Sequence, residues 1–173
     1  MPGLVSHAAA ETLRDGRRVE ISALGPSDRA GLVAVMDPAG PPPAPARLSA
    51  AGHGPTGDGI ARPAGLDRAD LVVLVAVLDE GGRRATVGAG RYVVVGPATA
   101  EAAFAVLPRY QGRGIGTALM RHVAALARRA GLQELTAEGL PEDVVLLKLF
   151  RRSGFGLATR YAHGAVRLAL RLP

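Results

Sequence analysis

A single domain built on a mixed α/β sheet flanked by helices is the fold class this chain predicts, and three observations carry it. The run Leu71 to Leu78 is apolar and β-branched, as in a strand buried on both faces, and Glu80-Gly81-Gly82 turns it back into Ala85 to Val95 as an antiparallel hairpin. Glu101 to Leu107 alternates in character and feeds a glycine loop, Gln111-Gly112-Arg113-Gly114-Ile115-Gly116, from which a long amphipathic helix starts. A further strand, Gln133 to Leu140, and a second helix follow. Hairpins joined to strand–helix–strand units make the sheet mixed.

Taken in order, Leu13 to Leu24 reads as a hairpin around Asp15-Gly16, with Val19, Ile21 and Ala23 alternating and a short first strand at the edge. Pro26-Ser27-Asp28 starts a helix carrying Leu32, Val33 and Met36, which Pro38 ends. From Pro38 to Leu66 the composition shifts to Pro, Gly and Ala, a poor core former, so an irregular excursion is expected there, with room for a short helix from Ala44 to Ala51. Gly96-Pro97 turns the chain into Glu101 to Leu107, which places Ala102, Phe104 and Val106 on one face and Glu101, Ala103 and Ala105 on the other. Ile115, Leu119, Val123 and Leu126 mark the buried stripe of the long helix, and Gly131 stops it. Pro141-Glu142-Asp143 opens the second helix, Ser153-Gly154-Phe155 closes it, and Arg160 to Leu172 reads as one strand with a wet face.

The 173 residues suit one compact domain over 1–173. With no cysteine, disulfides, thiolate nucleophiles and Cys-ligated metals are excluded. No apolar run approaches the length of a membrane span, and Met1 to Ala10 lacks the pattern of a signal peptide, so a cytoplasmic location is expected. The net charge of +6 comes from 21 basic residues, all arginine except Lys148, against 15 acidic ones, a balance that fits an anionic ligand. Nucleic acid is disfavoured, because three Phe, three Tyr and no Trp offer few stacking platforms. His122 and His53 have no partner at metal-ligand spacing, and no metal site is expected.

Glycines 112, 114 and 116 let the backbone approach an anion and open a helix, whose first turn offers unpaired N–H groups. An ATPase-type phosphate loop would need a lysine after the final glycine, where Thr117 stands, and a dinucleotide fingerprint would need Gly-x-Gly-x-x-Gly. The loop, followed at the right distances by Leu135-Thr136-Ala137-Glu138 and by Leu149-Phe150-Arg151-Arg152-Ser153-Gly154-Phe155, resembles the GNAT N-acetyltransferase superfamily, which binds acetyl-CoA. The resemblance covers Leu71 to Leu172 well and implies a mostly antiparallel sheet with one splayed parallel pair. It also implies that backbone N–H groups from Gln111 or Gly112 through Arg113, Gly114, Ile115, Gly116 and Thr117 hold the CoA pyrophosphate. Arg113 and Arg109 would add charge, and Val106 and Leu107 would carry the pantetheine arm on their main chain.

In that family an amine attacks the thioester directly, so it must first lose a proton to a carboxylate or a relayed water. Glu101 is the expected base, resembling the glutamate proposed for that role in bacterial protein acetyltransferases; a structural partnership with Arg91 is its other reading, and Glu138 is the runner-up base. Two positions depart from the family pattern within the implied cofactor site. Asp143 stands where many members have a cofactor-contacting asparagine, and Phe150 where many have a tyrosine that protonates the leaving thiolate, leaving Tyr161, Tyr110, Ser153 or water for that task. Leu13 to Ile21, Ala100 to Phe104 and Leu140 to Asp143 look like bacterial protein-lysine acetyltransferases, which commonly modify acyl-CoA synthetases. The expected acceptor is therefore a protein lysine, with a small-molecule amine, or a catalytically silent acyl-CoA-binding sensor, as alternatives, in a monomer or homodimer.

Overall fold

The computed structural model describes residues 7–25, 28–36, 47–48, 70–139 and 144–173. Most of the stretch from Pro38 to Leu66, with His53, lies outside the described residues, as does Asp143. Strands β1 (Ala8–Thr12) and β2 (Arg18–Ala23) precede α1 (Arg29–Met36), and a two-residue β3 (Arg47–Leu48) precedes β4 (Leu71–Glu80), β5 (Arg83–Val94) and β6 (Thr99–Val106). A 3-10 turn at Pro108–Tyr110 leads into α2 (Ile115–Arg129), then β7 (Glu134–Gly139), α3 (Val144–Arg151), β8 (Gly156–Ala162) and β9 (Ala165–Arg171).

The sheet order is β1-β2-β4-β5-β6-β7-β9-β8, and β6 against β7 is its parallel pair. That pairing runs from Thr99↔Glu134 through Ala100↔Leu135 to Glu101↔Thr136, after which the two strands part, as the expected splay requires. The alternation of β6 sorts its side chains to the two faces. Ala102, Phe104 and Val106 pack into the cluster that contains Ile115, Leu119 and Val123 of α2, while Ala103 and Ala105 join Leu32 and Val35 of α1. β4, apolar from Leu71 to Leu78, is buried along that run because both layers cover it.

Two glycines set how closely α2 lies on the sheet. A Cβ at Gly90 would come within 2.9 Å of the Phe104 ring, and one at Gly88 within 3.2 Å of both Ile115 and Leu119. Bare backbone there lets the start of α2 sit against β5 and β6, which fixes the loop before it over the end of β6.

Three local expectations are corrected. The first strand is Ala8–Thr12, ahead of the segment in which the hairpin was expected to begin; it is an edge strand paired to β2 from Ala8↔Ser22 to Thr12↔Arg18. In the stretch Ala44 to Ala51, where there was room for a short helix, the two described residues are extended and pair antiparallel with β6, Arg47↔Ala105 and Leu48↔Phe104. The tail is a hairpin rather than one strand: His163 (φ 51°) and Gly164 (φ 74°) form a turn with two successive positive φ angles, a geometry that matches the twist of paired strands.

β1 is tied to α2 by a chain of polar contacts. His7 Nε2 lies 2.8 Å from His122 Nδ1, His122 Nε2 lies 2.8 Å from Glu11 Oε1, and Arg121 donates to Glu11 Oε2 at 2.9 Å. With one proton on each ring, His7 donates to His122 and His122 donates to the carboxylate. Burial first, then His122 and Arg129, lowers the His7 pKa from 6.5. A depressed imidazole binds fewer protons folded than unfolded, so stability should fall as the pH drops below about 6.5 and level off once the folded-state pKa is passed. Calorimetric unfolding between roughly pH 7.5 and 5.5 should show that loss, and His7→Asn should flatten it.

Candidate functional site

The loop after β6 is shaped by its glycines and pinned by charge. Gly112 (φ 76°) and Gly114 (φ 97°) take left-handed conformations, and Gly114 is the N-cap of α2 with no side chain bonding the first turn. The first intrahelical bond is Ala118 N to Gly114 O, so the N–H groups of Ile115, Gly116 and Thr117 have no helical acceptor. Gln111 Nε2 donates to Val106 O at 3.0 Å, joining the loop to the end of the strand.

The two loop arginines expected to add charge are engaged by protein groups. Arg113 pairs with Asp15 at 3.2 Å and donates to Arg109 O at 3.2 Å, while Arg109 lies over the Tyr110 ring and pairs with Glu80 at 3.0 Å. The Tyr110 hydroxyl donates to Glu80, and that bond first, then Arg109, holds the Glu80 carboxyl below the usual carboxylate range despite desolvation. These contacts staple the β1–β2 turn and the end of β4 to the outside of the loop.

Inside the loop lies a cavity of about 280 Å³. Val106, Gln111, Gly112, Gly114, Ile115, Gly116 and Thr117 line it on the strand and loop side, Lys148 and Leu149 of α3 and Arg152 just past its end close it, and Arg14 also lines it. It runs from the start of α2 to the end of β6. Leu107, Arg113 and Phe150 do not line it, and Arg113 instead borders a neighbouring cleft with Glu11 and Arg121. The Leu107 N–H is also spent, donating to Val87 O on β5 at 2.9 Å. Alternation along an antiparallel pair turns the main chain of Phe104 and Val106 away from β5, where Phe104 is in register with Leu48 of β3 and the Val106 carbonyl accepts from Gln111 Nε2.

On the opposite face, Glu101 stands at the last paired position before the splay and is about a quarter exposed. Arg91, in register with Ala103, is 1% exposed, and its Nη2 lies 3.9 Å from Glu101 Oε1. Among the described residues, Arg91 Nε, Nη1 and Nη2 have no hydrogen-bond partner. Burial among Val73, Ala89 and Ala103 pushes the guanidinium pKa down, and Glu101 opposes that shift. Glu101 thus stands where β6 and β7 part and beside a buried cation, the Arg91 partnership that was its other expected reading. Glu138 is two residues beyond Thr136 on β7, on the same face, across the opening and beside Arg167 of β9.

The sequence profile of the Acetyltransferase (GNAT) family matches residues 52–155, from within the Pro/Gly-rich stretch to the Gly-Phe step. The chain belongs to the GNAT acetyltransferase family. Its fold is similar to the GNAT domain of S. lividans PAT, at 27% identity and TM-score 0.74, covering 95% of this chain and 97% of that one. The cAMP-binding acyltransferase from Mycobacterium smegmatis shares the fold at 22% identity and TM-score 0.65; 97% of this chain aligns, spanning 48% of that longer one. A GNAT-family acetyltransferase from Streptococcus pneumoniae aligns at 18% identity and TM-score 0.63, over 90% and 99% of the two chains. No curated protein is significantly similar in sequence. The chain is an acyltransferase of this family.

Within this GNAT enzyme the acid candidates are committed elsewhere. The Tyr110 hydroxyl donates its hydrogen bond to Glu80, Tyr161 lies 60% exposed on the edge strand β8, and the Ser153 hydroxyl donates to Phe150 O at 2.6 Å while accepting from Phe155 N–H. Phe150, placed by resemblance at the cofactor, is fully buried and meets Phe104 edge to face at 6.5 Å, because α3 turns this position onto the sheet and presents Lys148, Leu149 and Arg152 to the cavity. Phe150→Tyr should therefore restore no acid: the rate should stay within twofold or so of wild type, and a hydroxyl buried without a partner should cost about 1–3 kcal/mol of stability, read by denaturant unfolding.

Proposed function

We propose that this chain, as a single domain, transfers an acetyl group from acetyl-CoA to an amine, and that the amine is a lysine side chain of a protein. The observation that carries the donor is the cavity, which joins free helix N–H groups at Ile115, Gly116 and Thr117 to the end of β6 at Val106. Helix N-termini attract phosphate through those N–H groups and the helix dipole. An extended amide arm can pair with strand main chain where β6 and β7 part, as an added strand does.

The thioester supplies a carbonyl carbon open to amine attack. Glu101 takes the proton from the incoming ammonium, directly or through one water, so that nitrogen has a lone pair when it reaches that carbon. Arg91 keeps a positive charge behind the carboxylate. A thiol has a pKa near about 8.5, so the leaving group needs no dedicated acid, in keeping with a phenylalanine at position 150. Similarity to the GNAT domain of S. lividans PAT supports a protein acceptor, and acyl-CoA synthetases are the first substrates to try.

The test is thiol release from acetyl-CoA over a panel of acyl-CoA synthetases, lysine peptides and small amines, with modified residues mapped by mass spectrometry. Acetylation of a protein lysine is the expected result. Turnover confined to small amines would replace the acceptor, and tight donor binding with no acceptor consumed would favour the silent sensor.

A further inference from the structure

Three side-chain cations from separate parts of the chain converge on the cavity: Arg14 from the β1–β2 turn, Lys148 from α3, and Arg152 just past its end. None of the three forms an ion pair among the described residues, and all are exposed. Their neighbours behave differently. Arg17 and Arg113 pair with Asp15, Arg109 pairs with Glu80 and Arg121 with Glu11. Arg14 is not placed by chance mobility of a turn, since its own N–H donates to Arg113 O at 3.4 Å and Asp15 beside it is held by Arg113.

Uncompensated like charges brought to one concave surface repel, and Lys148 and Arg152 stand one helical turn apart, where like charges disfavour the helix. Attraction to the negative end of the α3 dipole accounts for basic residues at its C-terminus, but not for the third cation arriving from the β1–β2 turn. The arrangement becomes favourable once a polyanion enters. A diphosphate bridge already has the first turn of α2 to receive it, which leaves three cations for further negative charge. A phosphomonoester carries about −1.5 to −2 at neutral pH and offers three acceptor oxygens.

We propose that Arg14, Lys148 and Arg152 form a second phosphate subsite that reads a ribose phosphomonoester in addition to the diphosphate, so that the enzyme selects 3′-phosphorylated CoA thioesters over their dephospho forms. This rests on the donor reading above and adds a specificity to it. Arginine serves the subsite by forked hydrogen bonds and Lys148 as a compact charge.

Isothermal titration of the whole chain with CoA and with 3′-dephospho-CoA at one fixed salt concentration tests it. Wild type should bind the dephospho form at least roughly tenfold more weakly, the scale of one lost charged hydrogen-bonding group. Lys148→Met with Arg152→Gln, both at exposed positions, should bring CoA down toward the dephospho value while leaving dephospho-CoA nearly unchanged. Equal wild-type affinity for the two ligands overturns the subsite and leaves the donor reading standing. Failure of both ligands to bind overturns the subsite and the donor reading together.

Discussion

Glu101→Gln is expected to lower amine acetylation by roughly 10²–10⁴-fold, the usual contribution of a positioned base, with CoA affinity unchanged. Glutamine keeps the shape and cannot take the proton, and Glu101 lies on the face of β6 opposite the side chains that pack toward α2, so donor binding should not register the change. A second consequence follows from Arg91. Its guanidinium is 1% exposed with Glu101 3.9 Å away, so neutralising Glu101 leaves a buried cation without its carboxylate. Breaking one side of such a pair typically costs about 3–5 kcal/mol, and the partial exposure of Glu101 puts this case toward the lower end. The rate should therefore be measured where unfolding curves show the variant folded. Arg91→Met combined with Glu101→Gln should recover much of the lost stability without recovering the rate. A near wild-type rate for Glu101→Gln would move proton removal to Glu138 or to water.

How far the residues announce this architecture depends on whether burial left a period in the sequence. β4 and α2 were legible because the core dictates each of their apolar positions, from Leu71 to Leu78 and at Ile115, Leu119 and Val123. The glycine loop was legible because left-handed backbone at Gly112 and Gly114 favours glycine. β1 and β8 were not, since both are edges: Ala8–Thr12 carries no β-branched apolar residue, and β8 is exposed along nearly its whole length. The candidate site divides the same way. Residues contributed by one contiguous motif could be named from spacing, whereas Arg14 is brought to the cavity by a hairpin turn almost a hundred positions earlier, and no local pattern marks it. His122 was another such case, its partners His7 and Glu11 lying just before and on a strand that the sequence pattern did not reveal.

The loop assignment meets its hardest trial at Gly114. Gly114→Val should abolish measurable CoA binding, a loss of at least roughly 100-fold, or about 2.7 kcal/mol. The residue sits at φ 97° as the N-cap of α2 and lines the cavity, and a Cβ there would meet no protein atom within 4 Å. The new side chain would therefore project into space that the ligand is proposed to fill. Holding an L-residue in the left-handed region costs about 1–2 kcal/mol, somewhat more for a β-branched one, so the fold should survive with a melting point lowered by several degrees. Gly131 provides the control. It has φ 83°, equally open surroundings and a place at the other end of α2, so Gly131→Val should reproduce the strain without touching the cavity. If the two variants lose similar stability and Gly114→Val alone loses CoA, the effect belongs to the site. If Gly114→Val binds CoA as wild type does, the phosphates lie elsewhere, and the free N–H groups of the first turn are simply solvated.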